Sequence, residues 1–110
     1  MQGSDLVSLC QVSEVAAGAA KRVEPQGFPP LAVFNLGGEF FVIDDTCTHG
    51  LASLADGYVD GDEVECPWHN GKFCIRTGEP TGFPAVTPVR SYPVTVVGDE
   101  VCIGPGRSPS

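Results

Sequence analysis

The sequence predicts an all-β fold, a sandwich or barrel built from short antiparallel strands. Glycine and proline, with 14 and 10 residues in a chain of 110, favour many turns and short strands over long helices. No segment places apolar residues at the 3.6-residue spacing of an amphipathic helix, and no internal repeat is present. The length predicts a single domain that spans residues 1–110.

The first part of the chain predicts two strands followed by a hairpin. We expect strands at residues 6–12 and 21–24, with a turn at 13–15 between them and a proline-rich bend after them. Residues 31–36 and 39–44 are apolar segments that flank Gly37-Gly38. Because glycine accepts the positive φ values of tight hairpin turns, this pattern predicts a hairpin.

The middle of the chain predicts a second hairpin and a further short strand that residues 77–79 turn back. The hairpin is expected at residues 58–65, with Asp60-Gly61 at its turn. Residues 72–76 predict a short strand. Residues 81–88 contain two prolines and one glycine, so they are expected to form a loop.

The last part of the chain predicts a third hairpin. Residues 92–97 and 100–103 flank Gly98-Asp99, which is a favourable pair for a tight turn. Pro93 has no amide hydrogen, so it must lie at an edge or at the entry of its strand. Residues 104–110 are expected to be a flexible tail.

The chain is acidic, with a formal net charge of -8. Half of its 14 acidic residues lie in one stretch: Asp44, Asp45, Asp56, Asp60, Asp62, Glu63 and Glu65. This stretch is interpreted either as a solvated surface that maintains solubility or as an acidic face that steers a basic protein partner. The six Lys and Arg residues form no basic stripe, which argues against nucleic-acid binding.

The amino terminus and the cysteines predict a cytoplasmic protein that does not associate with a membrane. The first residues lack the basic region and apolar run of a secretory signal. The longest apolar stretch, residues 15–20, is too short to span a bilayer. Five cysteines are an odd number, which indicates metal ligands and buried thiols rather than a disulfide framework. Cys10, Cys74 and Cys102 lie in predicted strands and are expected to be buried thiols.

Two short segments place the only two histidines close after a cysteine: Cys47-Thr48-His49 and Cys66-Pro67-Trp68-His69. Each segment follows a predicted strand, so two loops can converge on one rigidly supported site. Thiolate and neutral imidazole are suitable ligands for iron–sulfur clusters and for zinc. Zinc fingers usually hold two cysteines in one knuckle and two histidines on a helix. Here each loop supplies one of each, which favours an iron–sulfur cluster.

The same segments resemble the ligand motif of Rieske proteins, with sixteen residues between His49 and Cys66. The resemblance covers residues 5–104 and is strongest with the Rieske ferredoxins of bacterial aromatic ring-hydroxylating dioxygenase systems. It implies a Rieske-like antiparallel sandwich with a small cluster-binding lobe, at about residues 45–84, made of two ligand loops. Further matching segments are Asp56-Gly57, residues 70–73, Thr77-Gly78, residues 83–85 and residues 92–94.

The resemblance also implies the role of each ligand. Cys47 and Cys66 would hold the inner iron of one Rieske [2Fe–2S] cluster, while His49 and His69 would hold the outer iron. The chain would then be a monomeric single-electron carrier and not an enzyme. Its implied partners are an NAD(P)H-dependent flavoprotein ferredoxin reductase and a terminal Rieske oxygenase for aromatic ring hydroxylation. No other group of residues resembles a general acid–base pair or an activated nucleophile.

Four positions imply a low reduction potential within the family. High-potential Rieske proteins carry an extra cysteine in each ligand loop, whereas Ala52 and Trp68 stand at the matching positions here. Those proteins also carry Ser and Tyr hydroxyls that donate to the cluster, where this chain has Gly71 and Phe73. Donors stabilise the reduced state, so their absence predicts a potential of about -150 mV.

Several alternatives remain open from the sequence alone. The four ligands could form a structural zinc site in a protein-interaction module. The chain could also be a small Rieske subunit of a larger enzyme such as a nitrite reductase, or a redox sensor. Trp68 could pack beneath the ligand loops or contact a partner.

Overall fold

The computed structural model describes residues 6–47, 52–67, 71–82 and 87–104, which form three antiparallel sheets. Two short 3₁₀ turns, Val12–Glu14 and Leu54–Asp56, interrupt the strands. The strands are β1 (Val7–Gln11), β2 (Ala20–Val23), β3 (Leu31–Leu36), β4 (Glu39–Asp44), β5 (Tyr58–Asp60), β6 (Glu63–Glu65), β7 (Lys72–Cys74), β8 (Pro80–Gly82), β9 (Ser91–Tyr92), β10 (Val94–Val97) and β11 (Glu100–Ile103).

The central sheet has the strand order β2-β3-β4-β9. Its β3–β4 hairpin pairs Leu36 with Glu39 across Gly37 and Gly38, whose φ values are 66° and 100°. The Gly38 amide donates to the side-chain oxygen of Asn35 at 2.7 Å, which holds the turn. The hairpin predicted at residues 31–36 and 39–44 is therefore confirmed.

Strand β3 is buried on both faces, which explains its continuous apolar sequence. Leu31 and Val33 belong to one hydrophobic cluster, while Ala32 and Phe34 belong to the other. The side chains of a strand alternate between the two faces of its sheet. The central sheet is therefore a middle layer between two apolar cores.

The other two sheets cover the two faces of this middle layer. The first, in the order β1-β11-β10, encloses the core that contains Leu31, Val33 and Val101. The second, in the order β5-β6-β7-β8, encloses the core that contains Phe34, Val64 and Phe73. The predicted antiparallel all-β sandwich is confirmed, and the region at about 45–84 contains a four-stranded sheet as well as the ends of two loops.

Arg76 connects this second sheet to the central one. Its guanidinium lies 4.8 Å from the centre of the Phe41 ring and 3.6 Å from the carboxylates of Glu39 and Asp62. Glu39 and Phe41 belong to β4, whereas Asp62 lies in the β5–β6 turn. Contacts of this kind contribute modestly at half-exposed positions, and here they link two layers.

Several predicted boundaries were wrong, and β7 ends at Cys74 instead of at residue 76. Pro80–Gly82 is a strand that pairs with β7, although residues 81–88 were expected to form a loop. The β5–β6 turn lies at residues 61–62, because Asp60 still pairs with Glu63. Residues 92–97 are not one strand: Tyr92 pairs with Val42 in the central sheet, whereas Val94–Val97 pairs with β11. Pro93, which cannot donate to a ladder, separates the two strands.

The hairpin across Gly98-Asp99 is confirmed, since Val97 pairs with Glu100. Of the predicted tail, residues 105–110 lie outside the described residues. Within the described part of the chain, no helix is long and apolar enough to cross a membrane.

Candidate functional site

The first cysteine-containing loop follows β4 and is held at its base by backbone pairing. Thr46 forms an isolated antiparallel bridge with Ser53. One residue further along, the Cys47 amide donates to the carbonyl oxygen of Ala52 at 3.0 Å. The base of the loop is thus closed between Cys47 and Ala52. Residues 48–51, called here the tip of this loop, connect these two residues in sequence and lie outside the described residues.

The second loop follows β6 and is closed in the same way. Glu65 pairs with Lys72 in the β6–β7 ladder. The Cys66 amide then donates to the carbonyl oxygen of Gly71 at 2.7 Å. Residues 67–70, of which only Pro67 is described, connect these two residues in sequence and are called here the tip of this loop. In both loops the cysteine is the last residue before the tip, and its amide bonds to the residue five positions later.

Both cysteine side chains lie in the same hydrophobic core. Cys47 is 2% exposed and Cys66 is fully buried. Both belong to the cluster that contains Leu54, Phe73 and Ile75. Two loops from different sheets therefore place their thiols in one apolar region.

Gly57 allows the chain that follows the first loop to approach β6 closely. A Cβ at this position would collide with the backbone carbonyl of Glu65 and would lie 3.1 Å from the Val64 side chain. The φ of Gly57 is -82°, so the requirement concerns space and not conformation. A residue without a side chain is needed here because the returning chain passes directly over the residue that precedes Cys66.

The two predicted histidine ligands, His49 and His69, lie outside the described residues, as does Trp68. They belong to the two tips by sequence, two and three residues after their cysteines. Within the described ranges, no group of three or more His, Cys, Asp or Glu side chains could hold a metal ion. The described part of the site is therefore the pair of buried thiols and the two closed hairpin bases.

The donor chemistry of this pair fits one iron of a cluster. Iron–sulfur clusters are held by cysteine thiolates, which are soft ligands. The surroundings of Cys47 and Cys66 are apolar and exclude solvent, and such a shell affects the potential of a bound cluster. At the positions that imply a low potential, Phe73 is fully buried and has no hydroxyl group, while Gly71 has no side chain.

The other three cysteines lie elsewhere. Cys10 and Cys102 are buried in the β1–β11 pair, and burial raises the pKa of both thiols. The prediction of buried thiols is thus confirmed for these two. It is wrong for Cys74, which is only partly buried, because its neighbour Phe73 takes the inward position on β7.

The acidic stretch divides into structural and exposed residues. Asp45 is buried, and Asp44 accepts a hydrogen bond of 2.7 Å from the Tyr92 hydroxyl, so neither belongs to a free acidic surface. Val59 and Val64 point into the core, which turns their neighbours on β5 and β6 outward. The outward residues, called here the acidic face, are Tyr58, Asp60, Glu63 and Glu65, which line a shallow depression of about 180 Å³ together with Lys72.

Comparison with known proteins identifies the family. The Rieske [2Fe-2S] domain family matches residues 5–93. The ferredoxin component of the p-cumate 2,3-dioxygenase system of Pseudomonas putida is 48% identical over 107 residues, which cover 96% of this chain and 91% of that protein. The chain therefore belongs to the Rieske [2Fe–2S] family.

Two solved structures show what kind of member it is. The Sphingomonas yanoikuyae B1 ferredoxin superposes with a TM-score of 0.86 at 48% identity, covering 88% of this chain and 95% of that one. A chain in the complex of reduced oxygenase and oxidised ferredoxin of carbazole 1,9a-dioxygenase gives 0.87 at 37% identity, covering 98% of this chain and 100% of that one. The chain is a ferredoxin that carries electrons on a Rieske-type [2Fe–2S] cluster, and it is not itself an enzyme.

Proposed function

We propose that the cluster is held by Cys47 and Cys66 on one iron and by His49 and His69 on the other. The observation that carries this proposal is the burial of both thiols in one core, at the bases of two hairpins that are closed alike. When bound, the cluster supplies a site that accepts and releases one electron. Cys47 and Cys66 bind it as thiolates on the solvent-free side.

The burial of Cys47 and Cys66 indicates on which side of the cluster electrons would enter and leave. Solvent and partner proteins do not reach Cys47 or Cys66 through the packed core. By sequence, the two tips, residues 48–51 and 67–70, contain His49 and His69. We place the imidazoles of His49 and His69 at the point where electrons enter and leave.

The partners we propose are an NAD(P)H-dependent flavoprotein reductase as donor and a terminal Rieske oxygenase as acceptor, in an aromatic dioxygenase system. The relatives support the oxygenase as a partner, since one is the ferredoxin component of the p-cumate 2,3-dioxygenase system and another is a ferredoxin in complex with the oxygenase of carbazole 1,9a-dioxygenase. Docking between redox partners is typically weak and transient. We propose one domain over residues 1–110, acting as a monomer in the cytoplasm, where the thiols of Cys10, Cys74 and Cys102 stay reduced.

The acidic face provides a means of steering a basic partner. Asp60 is exposed, and Glu63 and Glu65 are partly exposed, beside the strand that leads into Cys66. Lys72 is the one basic residue that lines the same depression. A local excess of negative charge raises the rate of encounter with a positively charged surface.

The experiment that tests the ligand assignment is metal analysis of purified ligand variants. Cys66→Ser, His49→Ala and His69→Ala should each lose most of the two irons and acid-labile sulfides per chain and the visible colour. Cys74→Ser is a matched control, because Cys74 is a half-buried thiol on the neighbouring strand and should leave the cluster intact. Full iron content in any ligand variant would overturn the assignment.

The same preparation separates the alternatives. A zinc module would be colourless and would contain zinc without sulfide. A subunit of a larger reductase would purify in a stable complex with that enzyme, whereas a ferredoxin would purify alone.

A further inference from the structure

One carboxylate is buried beside the first ligand loop. Asp45 is 1% exposed and lies two residues before Cys47. Its Oδ1 accepts hydrogen bonds from the Ser53 hydroxyl at 2.8 Å and from the Ala55 amide at 2.9 Å. Its Oδ2 lies 3.4 Å from Nε of Arg22. These contacts join Asp45 to two other segments of the chain: β2, which contains Arg22, and the segment that contains Ser53 and Ala55.

The backbone of Asp45 strengthens the same junction. Its amide donates to the Pro30 carbonyl at 3.0 Å, and its carbonyl accepts from the Leu54 amide at 2.7 Å. The residue therefore joins the end of β4 to the segment before β3 and to the chain that returns from the tip at residues 48–51. Cys47 follows this junction by two residues and is held in turn by its own bond to Ala52.

The ion pair of Asp45 with Arg22 is unevenly exposed. The Asp45 side chain is 2% exposed, whereas the Arg22 side chain is 50% exposed and also lies 3.1 Å from Glu24. Water screens an exposed charge far more than a buried one. The negative member of the pair therefore acts on nearby groups with less screening than the positive member.

We propose that Asp45 and Arg22 are a positioning pair for the cluster, in which Asp45 fixes the first ligand loop and holds the reduction potential down. This inference depends on the proposed role of Cys47 as a ligand. Reduction adds one negative charge to the cluster, so a fixed carboxylate nearby opposes it and a nearby cation favours it. Neutralising the two members should consequently shift the potential in opposite directions.

The test is redox titration of Asp45→Asn and Arg22→Gln in the cluster-loaded protein. Asn keeps an oxygen that can accept from Ser53 and Ala55, so this variant removes the charge and preserves the loop contacts. We expect the potential to rise in Asp45→Asn and to fall in Arg22→Gln. The matched controls are Asp44→Asn, at the adjacent residue bonded to Tyr92, and Lys21→Gln, at the adjacent residue paired with Glu14. Their shifts should be smaller.

A second measurement examines the positioning part without the cluster. Thermal unfolding of the metal-free protein, followed by circular dichroism, should show a lower melting temperature for Asp45→Ala than for Asp44→Ala. Ser53→Ala, which keeps the charge, should lower the melting temperature without shifting the potential of the loaded protein.

The outcomes separate this inference from the proposed function. A wild-type protein without a [2Fe–2S] cluster would overturn the proposed function. Shifts of the same sign in Asp45→Asn and Arg22→Gln, or shifts no larger than those of the controls, would overturn the pair while the ligand assignment stands. If Asp45→Asn fails to assemble a cluster, the reduction potential of Arg22→Gln decides. A potential lower than that of the wild type supports the pair, whereas an unchanged or higher potential refutes it.

Discussion

At the scale of single residues, Tyr92 shows how a partly buried polar group is hydrogen-bonded at the edge of the central sheet. Its hydroxyl donates to Asp44 at 2.7 Å, and its ring meets that of Phe28 edge-on with 6.2 Å between the centres. Burial, followed by the hydrogen bond and the charge of Asp44, raises the pKa of Tyr92 to about 12. The ordinary pKa of tyrosine is about 10.

This shift predicts a loss of stability at high pH. A tyrosine whose pKa is raised by folding contributes stability that is fully present below about pH 10 and is lost as the pH rises towards 12. Urea unfolding should therefore show a steeper fall in stability between pH 10 and 12 for the wild type than for Tyr92→Phe. Equal slopes for the two proteins would contradict the role of the hydroxyl.

The reduction potential is also determined by residues close to the thiols. Phe73 has no hydroxyl and Gly71 has no side chain, so neither donates from a side chain towards bound sulfide. Asp45 adds a buried negative charge two residues before Cys47 in the sequence. Both features favour the oxidised state.

We therefore expect a reduction potential near the low end of the Rieske range, about -150 mV. Protein-film voltammetry or a mediated redox titration at pH 7 would measure it. A value above zero would show that donors outside these residues dominate the potential.

At the scale of elements, the two ligand hairpins depend on close packing between β6 and the chain that precedes β5. Gly57→Ala would force a Cβ against the carbonyl of Glu65. Because that neighbour is backbone and cannot rotate away, we expect a loss of about 1–3 kcal/mol in the free energy of unfolding.

Chemical denaturation of the metal-free protein would measure this loss. Gly82→Ala is the control, since the atoms nearest to a Cβ there are side-chain atoms of Lys72, at 3.0–3.3 Å, and not backbone atoms, so it should cost less. A loss in Gly57→Ala no greater than in Gly82→Ala would show that the contact with Glu65 relaxes easily.

The elements also show which parts of the fold can be read from the sequence. The hairpins at Gly37-Gly38 and Gly98-Asp99 are predictable because adjacent residues determine each turn. Two features could not be predicted: the strand Pro80–Gly82 and the pairing of Tyr92 with β4. Each depends on a partner strand that only the fold brings close. Within residues 92–97, Pro93 is the one local signal of the change of sheet, because proline cannot donate to a ladder.

At the scale of the whole molecule, some acidic residues form internal contacts and others lie on the surface. Of the acidic stretch, Asp44 and Asp45 are occupied by internal contacts. Asp60 and Glu63 face each other directly across the β5–β6 pair, an arrangement of like charges that costs stability. The pairing of Asp60 with Glu63 therefore does not contribute to folding, which is consistent with the proposed role of the acidic face in the encounter with a partner.

This reading predicts that the rate of electron transfer to the cognate oxygenase falls as salt concentration rises. Stopped-flow measurements should also show a slower encounter and a weaker salt dependence in Asp60→Asn/Glu63→Gln. Asp44→Asn removes a carboxylate outside the acidic face and should retain the salt dependence of the wild type. A rate that is independent of salt would exclude steering by this surface.

The site illustrates the limit of sequence reasoning for the molecule as a whole. The spacing of Cys47 and Cys66 with their histidines leads to the proposed ligand set, because a ligand motif is local. The contribution of Asp45 is hidden in the sequence, where it resembles its exposed acidic neighbours. Its burial depends on Arg22 from β2 and on Ser53 from the returning loop, which only the assembled fold brings to it.

The central claim is that two thiols and two imidazoles hold one pair of irons. Low-temperature electron paramagnetic resonance of the dithionite-reduced protein, with resolution of nitrogen hyperfine couplings, tests it most directly. The account predicts the signal of a reduced [2Fe–2S] cluster whose average g value differs from that of an all-cysteine cluster, with coupling to two imidazole nitrogens. A signal without nitrogen coupling, or no signal from a fully reduced sample, would contradict it.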